Sequence, residues 1–412
     1  MAPSLGYCGE KMKVLWCHEV SYRSKPVYEY QDFPERLAAM GHQVEVIDFD
    51  EASASRASTE LITRTGTGQV SLTTIPHSNV AALKYFQARW NFRRMLTDRL
   101  RAGHVDVIVL YSVFVNGTQA VEIARRFGVP VVYRVLDAYH RLHPNKFAQF
   151  LLKRGERYIY RNADRILVTN RHMAHYVDEV ANFSGVPGKT GVLDHGADTE
   201  HFAPRPPDPV LLAKYKILPD DDVALFLGTT YGFSGLLNLV ARMPGLLDYC
   251  PKLKLVIVGG GEQDEALAAR VSELGLEGRV ILTGMVSYED VPRYLSLGKL
   301  ALNPFEINDI TRDIVPIKIL QYQACGLPVL STPLPDLVRV HPEGASGVIY
   351  CASDDADEFA AKMVKTMRNA GRLEQLALKG RKFILERFSV RYSISRLLET
   401  FTEVLKEREE LK

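Results

Sequence analysis

The chain has no run of about 18 apolar residues, the length a membrane-crossing helix needs. Its opening, MAPSLGYCGEKMK, holds no apolar stretch of signal-peptide length. The expectation is a protein neither secreted nor membrane-spanning, placed in the cytoplasm. Cysteine is scarce and scattered: five residues, at positions 8, 17, 250, 325 and 351, with no CxxC pair and no Cys/His cluster. That argues against a zinc site or a disulfide framework and fits a reducing compartment. Charge of one sign is also missing. Lys and Arg total 51 against 49 for Asp and Glu, a net charge of +2, so nothing pulls the whole molecule toward nucleic acid. Neither half carries GxGxxG after its first strand, which disfavours a dehydrogenase, and no Gly-Lys-Ser/Thr marks a P-loop.

What is present is an ordinary globular composition, 46% hydrophobic and 24% charged over 412 residues, enough for two or three domains. Short apolar runs alternate with helical patterns. Met12–Cys17 and Gln43–Phe49 read as strands around a helix ending at Gly41; Val105–Tyr111, Val129–Val135, Arg165–Thr169 and Gly191–Leu193 continue the series. This alternation predicts a doubly wound parallel sheet with helices on both faces. Residues 202–222 change character, with prolines at 204, 206, 207, 209 and 219, and read as a stiff linker. The alternation then restarts at Val223–Leu227, Leu253–Val258, Val280–Leu282, Leu300–Leu302, Val329–Ser331 and Gly347–Tyr350. A helical pattern closes the chain, with Ile394, Leu397, Leu398, Phe401 and Leu405 on its apolar positions. Two such units imply a cleft with ligands beyond the carboxyl ends of the strands, an arrangement suited to group transfer.

Several segments carry candidate chemistry. Residues 310–332, ITRDIVPIKILQYQACGLPVLST, run from the cations Arg312 and Lys318, with Asp313 between them, through an apolar helix face to a Gly-Leu-Pro turn and a strand. A helix start with two cations suits a phosphate, although a solvated charged crossover is the plainer alternative. Gly228-Thr229-Thr230-Tyr231-Gly232-Phe233-Ser234-Gly235 follows the first strand of the second half. Its glycines let backbone N–H groups approach a phosphate, or merely close a βα turn. Gly259-Gly260-Gly261 is a weaker signal of the same kind. The run from Asp194 to Asp198 reads as a structural turn. Asp137 lies just past the strand VVYRV, where it could be a general base, hold a sugar hydroxyl, or cap the next helix. Asp48 and Asp50 form a DxD pair, weak evidence for a metal. Residues 84–104 mix Lys84, Arg89, Arg93, Arg94, Arg99 and Arg101 with Tyr85, Phe86, Trp90 and Phe92. They could pack as a core stripe with a basic back or lie on anionic lipid.

Taken together, VLDHGADTEHFAP, LKLVIVGGGEQDEAL, GRVILTGMVSYEDVPRYLSLGKLALNPF and PIKILQYQACGLPVLST resemble the retaining glycosyltransferases of the GT-B fold, family 4 (glycosyl transferases group 1), from Met12 to about Phe388. The resemblance implies an α/β fold of two tandem Rossmann-like doubly wound parallel-sheet domains facing a cleft. The implied plan is an N-terminal tail (1–11), an acceptor-binding domain (12–203), a linker (204–220), a nucleotide-sugar-binding domain (221–388) and a helix (389–412) crossing back to the first domain. It implies a metal-independent, retaining hexosyl transfer from a nucleotide diphosphate-sugar, UDP- or GDP-linked, to a hydroxyl acceptor in glycan, glycolipid or glycoconjugate biosynthesis. No cofactor and no metal would be needed beyond that co-substrate, and nucleic acid is not an expected partner. The acceptor could be a glycan, a lipid-linked sugar or a small metabolite, with peripheral contact to an anionic membrane on its inner face.

Carried over by position, the resemblance assigns Arg312 and Lys318 to the diphosphate, Gln321 to the ribose, and Asp313 to the sugar, with Glu306 and Asp309 as competitors. Asp137 would orient acceptor or sugar. Gly228, Thr229, Thr230, Tyr231, Gly232, Ser234, Gly259, Gly260, Val286 and Ile317 would complete the donor site. The chain departs from the family at several of these places. The paired carboxylates are Asp313 and Gln321, the loop cations are Thr229 and Ser234, the usual His is Leu136, and the first Gly-Gly turn reads His18-Glu19-Val20. These changes keep alternatives open: a non-catalytic nucleotide-sugar-binding partner subunit, or an epimerase or phosphorylase on the same architecture.

Overall fold

The computed structural model describes residues 11–24, 29–52, 59–103, 105–182, 189–194, 196–312 and 314–410. The chain forms two compact units, Met1–Asp194 with Ser393–Lys412, and His195–Tyr392.

The first unit holds strands β1 (Lys13–Cys17), β2 (Gln43–Asp48), β3 (Thr59–Ile62), β4 (Val70–Thr74), β5 (Val107–Leu110), β6 (Val131–Val135), β7 (Arg165–Val168) and β8 (Thr190–Val192). They form one sheet in the order β3-β4-β2-β1-β5-β6-β7-β8, parallel except where β3 runs antiparallel to β4. Helices α1 (Glu29–Ala39), α2 (Ala81–Arg101), α3 (Gly117–Phe127), α4 (Tyr139–Leu142), α5 (Lys146–Asn162) and α6 (Arg171–Ala181) connect them. The central strands VIVL and VVYRV are buried along their whole length, as a sheet covered on both faces requires. The one charge inside β6, Arg134, is paired: its Nε and Nη2 lie 2.6 and 2.9 Å from the Glu29 carboxylate at the start of α1. Without that partner a buried guanidinium would be strongly destabilising.

The second unit holds β9 (Asp222–Leu227), β10 (Leu253–Val258), β11 (Val280–Leu282), β12 (Leu300–Asn303), β13 (Val329–Ser331) and β14 (Val348–Tyr350). Their order is β11-β10-β9-β12-β13-β14, and all the pairs are parallel. Its helices are α7 (Pro209–Lys214), α8 (Leu236–Tyr249), α9 (Asp264–Glu273), α10 (Val291–Leu295), α11 (Ile317–Ala324), α12 (Pro335–Val340), α13 (Ala356–Met367) and α14 (Ala370–Arg387). A doubly wound sheet in each unit is the expected fold class. The final helix, α15 (Val390–Glu410), contributes most of its length to the first unit. It buries Ile394, Leu397, Leu398, Phe401 and Val404, and Arg408 pairs with Asp164 at 2.7 Å.

Two features depart from the sequence reading. The strands β3 and β4 were not expected. TELI is a solvated edge and VSLTT is rich in hydroxyls, so neither shows the apolar run of its neighbours. The proline-rich stretch 204–220, read as a linker, lies within the second unit. Leu211 and Ile217 are buried there, Asp208 caps α7, and the same carboxylate pairs with Arg293 at 2.8 Å. Proline here stiffens a segment that packs, because the apolar residues between the prolines find a core.

Candidate functional site

In the second unit the loops at the carboxyl ends of β9, β10 and β12 press together. Gly228 and Gly259 hold φ of +130° and +125°, a region L side chains rarely adopt. Their backbones nearly touch: a Cβ on Gly259 would sit 2.2 Å from the Gly228 carbonyl oxygen. Glycine at both places is therefore a requirement of the close approach. The Gly228 turn is braced from below as well. Gln263 donates its backbone N–H to the Thr230 carbonyl at 3.0 Å, and the Asp264 carboxylate accepts from Thr230 Oγ1 at 2.6 Å and from the Gly261 N–H at 2.8 Å.

Helix α11 brings its cation to this turn. Lys318 is buried, and its Nζ lies 3.2 Å from where a Gly228 Cβ would be. The amine sits over the rings of Phe226 and Phe305, 3.8 and 4.1 Å from their centroids. Among the described residues, no hydrogen-bond acceptor meets it. Burial holds its pKa well below the ordinary lysine value. The two aromatic faces offer a charged amine some compensation, but they supply no anion. A buried lysine at a glycine turn and a helix start has the chemistry that binding an anion calls for. The placement depends on Tyr322, one turn along α11. Its hydroxyl accepts the Leu227 N–H at 2.6 Å and donates to the Leu302 carbonyl at 3.3 Å, tying α11 to β9 and β12. Tyr322 escaped the sequence reading because a helical tyrosine next to an apolar stripe looks like plain core.

The other expected donor residues fall into groups. Gly228, Thr229, Thr230, Tyr231, Gly232, Ser234, Gly259 and Gly260 share the packed β9 and β10 loops, but two hydroxyls are committed inside. Thr230 Oγ1 serves Asp264, and Ser234 Oγ donates to Gln263 at 3.2 Å. Ser234 also spends its backbone N–H, on the Tyr231 carbonyl at 2.9 Å. Tyr231 is exposed and stacks on Phe233, with ring centroids 5.0 Å apart. Gln321 is half-buried one turn beyond Lys318, Ile317 is exposed at the first position of α11, and Val286 is half-buried after β11. The loop after β12 is built by Asn308, whose side chain accepts the N–H groups of Ile310 and Thr311. On it, Glu306 accepts from Asn238 at 3.3 Å, while exposed Arg312 pairs with exposed Asp309 at 3.6 Å. Lys318 is thus committed to the Gly228 turn, whereas Arg312 stays on a surface loop. Asp313 lies outside the described residues.

In the first unit Asp137 is exposed just beyond β6. The DxD carboxylates are occupied as local acceptors. Buried Asp48 takes the Tyr22 N–H at 2.7 Å, and Asp50 takes the Ser21 hydroxyl at 3.2 Å and the Ala52 N–H at 3.1 Å. Helix α2 buries Ala88, Phe92, Leu96 and Leu100, so the core-stripe reading holds for that face. Its other side exposes Leu83, Phe86, Trp90 and Arg94 at i, i+3, i+7 and i+11. Glu19, at the end of β1, was noticed only as a departure from a glycine turn. Burial pushes its carboxyl up to about 7, against the opposing pull of the Asn116, Val115 and Val113 amides and of Arg89.

Residues 221–369 match the family model for glycosyl transferases group 1, and residues 31–187 match that for a glycosyl transferase 4-like domain. The chain is 25% identical over 224 residues to the GDP-mannose-dependent alpha-(1-6)-phosphatidylinositol monomannoside mannosyltransferase of Mycolicibacterium smegmatis, covering 53% of this chain and 58% of that one. It is 25% identical over 300 residues to the D-inositol 3-phosphate glycosyltransferase of Stackebrandtia nassauensis, covering 67% and 63%. The similarity thus spans about three-fifths of the length of these curated relatives. Among solved structures, the sucrose-phosphate synthase of Thermosynechococcus elongatus superposes with a TM-score of 0.68 at 15% identity, over 96% of this chain and 100% of that one. Anabaena HepE in complex with UDP superposes with a TM-score of 0.66 at 16% identity, over 95% and 100%. At those identities the likeness shows a shared fold.

Proposed function

The chain belongs to the GT-B glycosyltransferases of group 1, family 4-like type, and from that premise we propose that it moves a sugar from a nucleotide diphosphate donor to a hydroxyl acceptor. The observation that carries this reading is the buried Lys318 amine against the Gly228 turn, with no acceptor among the described residues. In the proposed reaction the bond from the anomeric carbon to the diphosphate oxygen breaks, and the acceptor oxygen bonds to that carbon from the same face. The acceptor proton passes to the leaving phosphate oxygen, so the configuration is retained and no metal takes part. Negative charge grows on the diphosphate as it leaves. Lys318, the N–H groups at the start of α11 and the Thr229 and Thr230 amides of the turn meet that charge. Gln321 faces the ribose, Asp137 orients acceptor or sugar, and Arg312, Glu306 and Asp309 approach from the β12 loop. Asp313 keeps its sugar-facing role as part of the proposal.

The names of the relatives support a sugar-nucleotide donor: one is GDP-mannose-dependent, and one neighbour was solved with UDP. The pathway proposed is assembly of a glycan or glycolipid in the cytoplasm. The exposed Leu83, Phe86 and Trp90 beside Arg94 support peripheral contact with anionic lipid. A thermal-shift panel of UDP-, GDP-, dTDP- and ADP-sugars tests the donor assignment, since a ligand bound only by the folded state raises its melting temperature. With the donor in hand, Lys318→Ala should lower turnover by about 10²-fold or more. Unchanged turnover would remove Lys318 from the mechanism. Nucleotide-sugar binding with no transfer or hydrolysis across many acceptors would favour the non-catalytic subunit instead.

A further inference from the structure

An open cavity of about 260 Å³ lies in the first unit, where β1, β5 and β6 end. Its polar lining comes from Glu19, Tyr139 and His143, and its apolar wall from Leu142, Pro144 and Leu152. The volume is near the lower end of ligand pockets, roughly 300 Å³, so it suits one compact group and not an extended chain. Glu19 is held in place for such a group. Its Oε1 accepts the N–H groups of Val115 and Asn116, the latter at 3.2 Å, which fixes the carboxylate against the start of α3. Those two bonds also supply a cap that the Asn116 side chain does not provide. Capping alone needs no cavity, and it would pull a carboxyl down, whereas burial pushes this one up to about 7. A carboxyl near that value accepts and donates hydrogen bonds at neutral pH, as a site for sugar hydroxyls requires. The apolar wall reaches the surface at Leu142, which is 66% exposed. An apolar wall that opens to the surface at an exposed leucine suits an apolar ligand segment.

We propose that this cavity is an acceptor subsite for an amphiphilic glycoside. Glu19 takes the hydroxyls of a single sugar unit, and the Leu142, Pro144 and Leu152 wall takes the start of its alkyl chain. The proposal rests on the glycosyl-transfer reading and names the acceptor class for it. The test is saturation-transfer NMR on the full chain with n-octyl glucoside, mannoside and galactoside, against the methyl glycosides and 1-octanol. The expected result is that at least one octyl glycoside binds more tightly than its methyl counterpart and than octanol. Glu19→Gln, and separately Leu142→Asp at an exposed position, should each weaken it by tenfold or more. The nucleotide-sugar thermal shift should stay the same in both variants. Binding of none of the octyl glycosides, or undiminished binding in Glu19→Gln, would overturn the proposal. A missing nucleotide shift alongside intact, Glu19-dependent glycoside binding would instead sink the donor reading and leave the subsite standing.

Discussion

Among single residues, Lys318 is one that the folded protein holds at a cost. The amine of Lys318 has two aromatic rings and a glycine turn around it and, among the described residues, no acceptor. Because burial depresses its folded pKa, the unfolded chain binds more protons between that value and the ordinary lysine value. Its contribution to stability is therefore full above the unfolded pKa and is lost as pH falls through the folded one. A bound diphosphate would reverse the shift by giving the charged amine a partner. Nucleoside diphosphate binding at alkaline pH should then take up a proton, seen in calorimetry as a binding enthalpy that depends on the ionisation enthalpy of the buffer. Lys318→Met should abolish that dependence; buffer-independent binding by the parent protein would contradict it. Tyr322 gives a contrasting case. Tyr322→Phe leaves the buried Leu227 N–H without its acceptor, so it should cost about 1–3 kcal/mol in denaturant unfolding. A cost near zero would mean that α11 is not held by this bond.

At the scale of elements, most of the framework was legible. The runs VIVL, VVYRV and LKLVIV are buried along their whole length, the pattern that parallel strands between helix layers need. Two strands were missed for other reasons: TELI is a solvated edge, and VSLTT is buried but rich in hydroxyls, so neither shows an apolar run. The site was legible by residue type more than by arrangement. The Gly228 turn and Lys318 could be picked out separately. That they meet, and that Thr230 and Ser234 spend their hydroxyls inside, follow from contacts between loops far apart in sequence, while Arg312 stays on the surface in a local pair with Asp309. Helix α2 shows how one periodicity can serve two faces. Ala88, Phe92, Leu96 and Leu100 fill the core, while Leu83, Phe86 and Trp90 are left exposed beside Arg94. Vesicles with a large anionic fraction should bind the parent protein and release it with added salt. Trp90→Ser/Arg94→Ala should bind several-fold more weakly, with no change in melting temperature. No vesicle binding by the parent would end the peripheral-membrane reading.

At the scale of the whole molecule, the chain finishes in the unit where it began. Residues 393–412 belong with residues 1–194, and Phe401 on α15 is fully buried. The last helix is therefore core and not a trimmable tail. Phe401→Ala should cost about 3–5 kcal/mol, read as a lower melting temperature. A loss below about 1 kcal/mol would show that the helix contributes little to the packing of its unit. The central claim, however, is that the second unit keeps an uncompensated lysine because a donor diphosphate completes it. The direct measurement is the melting temperature of the parent protein and of Lys318→Met, each with and without the nucleoside diphosphate that the panel selects. The account predicts that Lys318→Met without ligand melts no lower than the parent, because an apolar side chain replaces a buried unpaired amine. It also predicts that the nucleotide stabilises the parent and largely fails to stabilise the variant. An equal nucleotide shift in both proteins, or a variant markedly less stable than the parent, would contradict it.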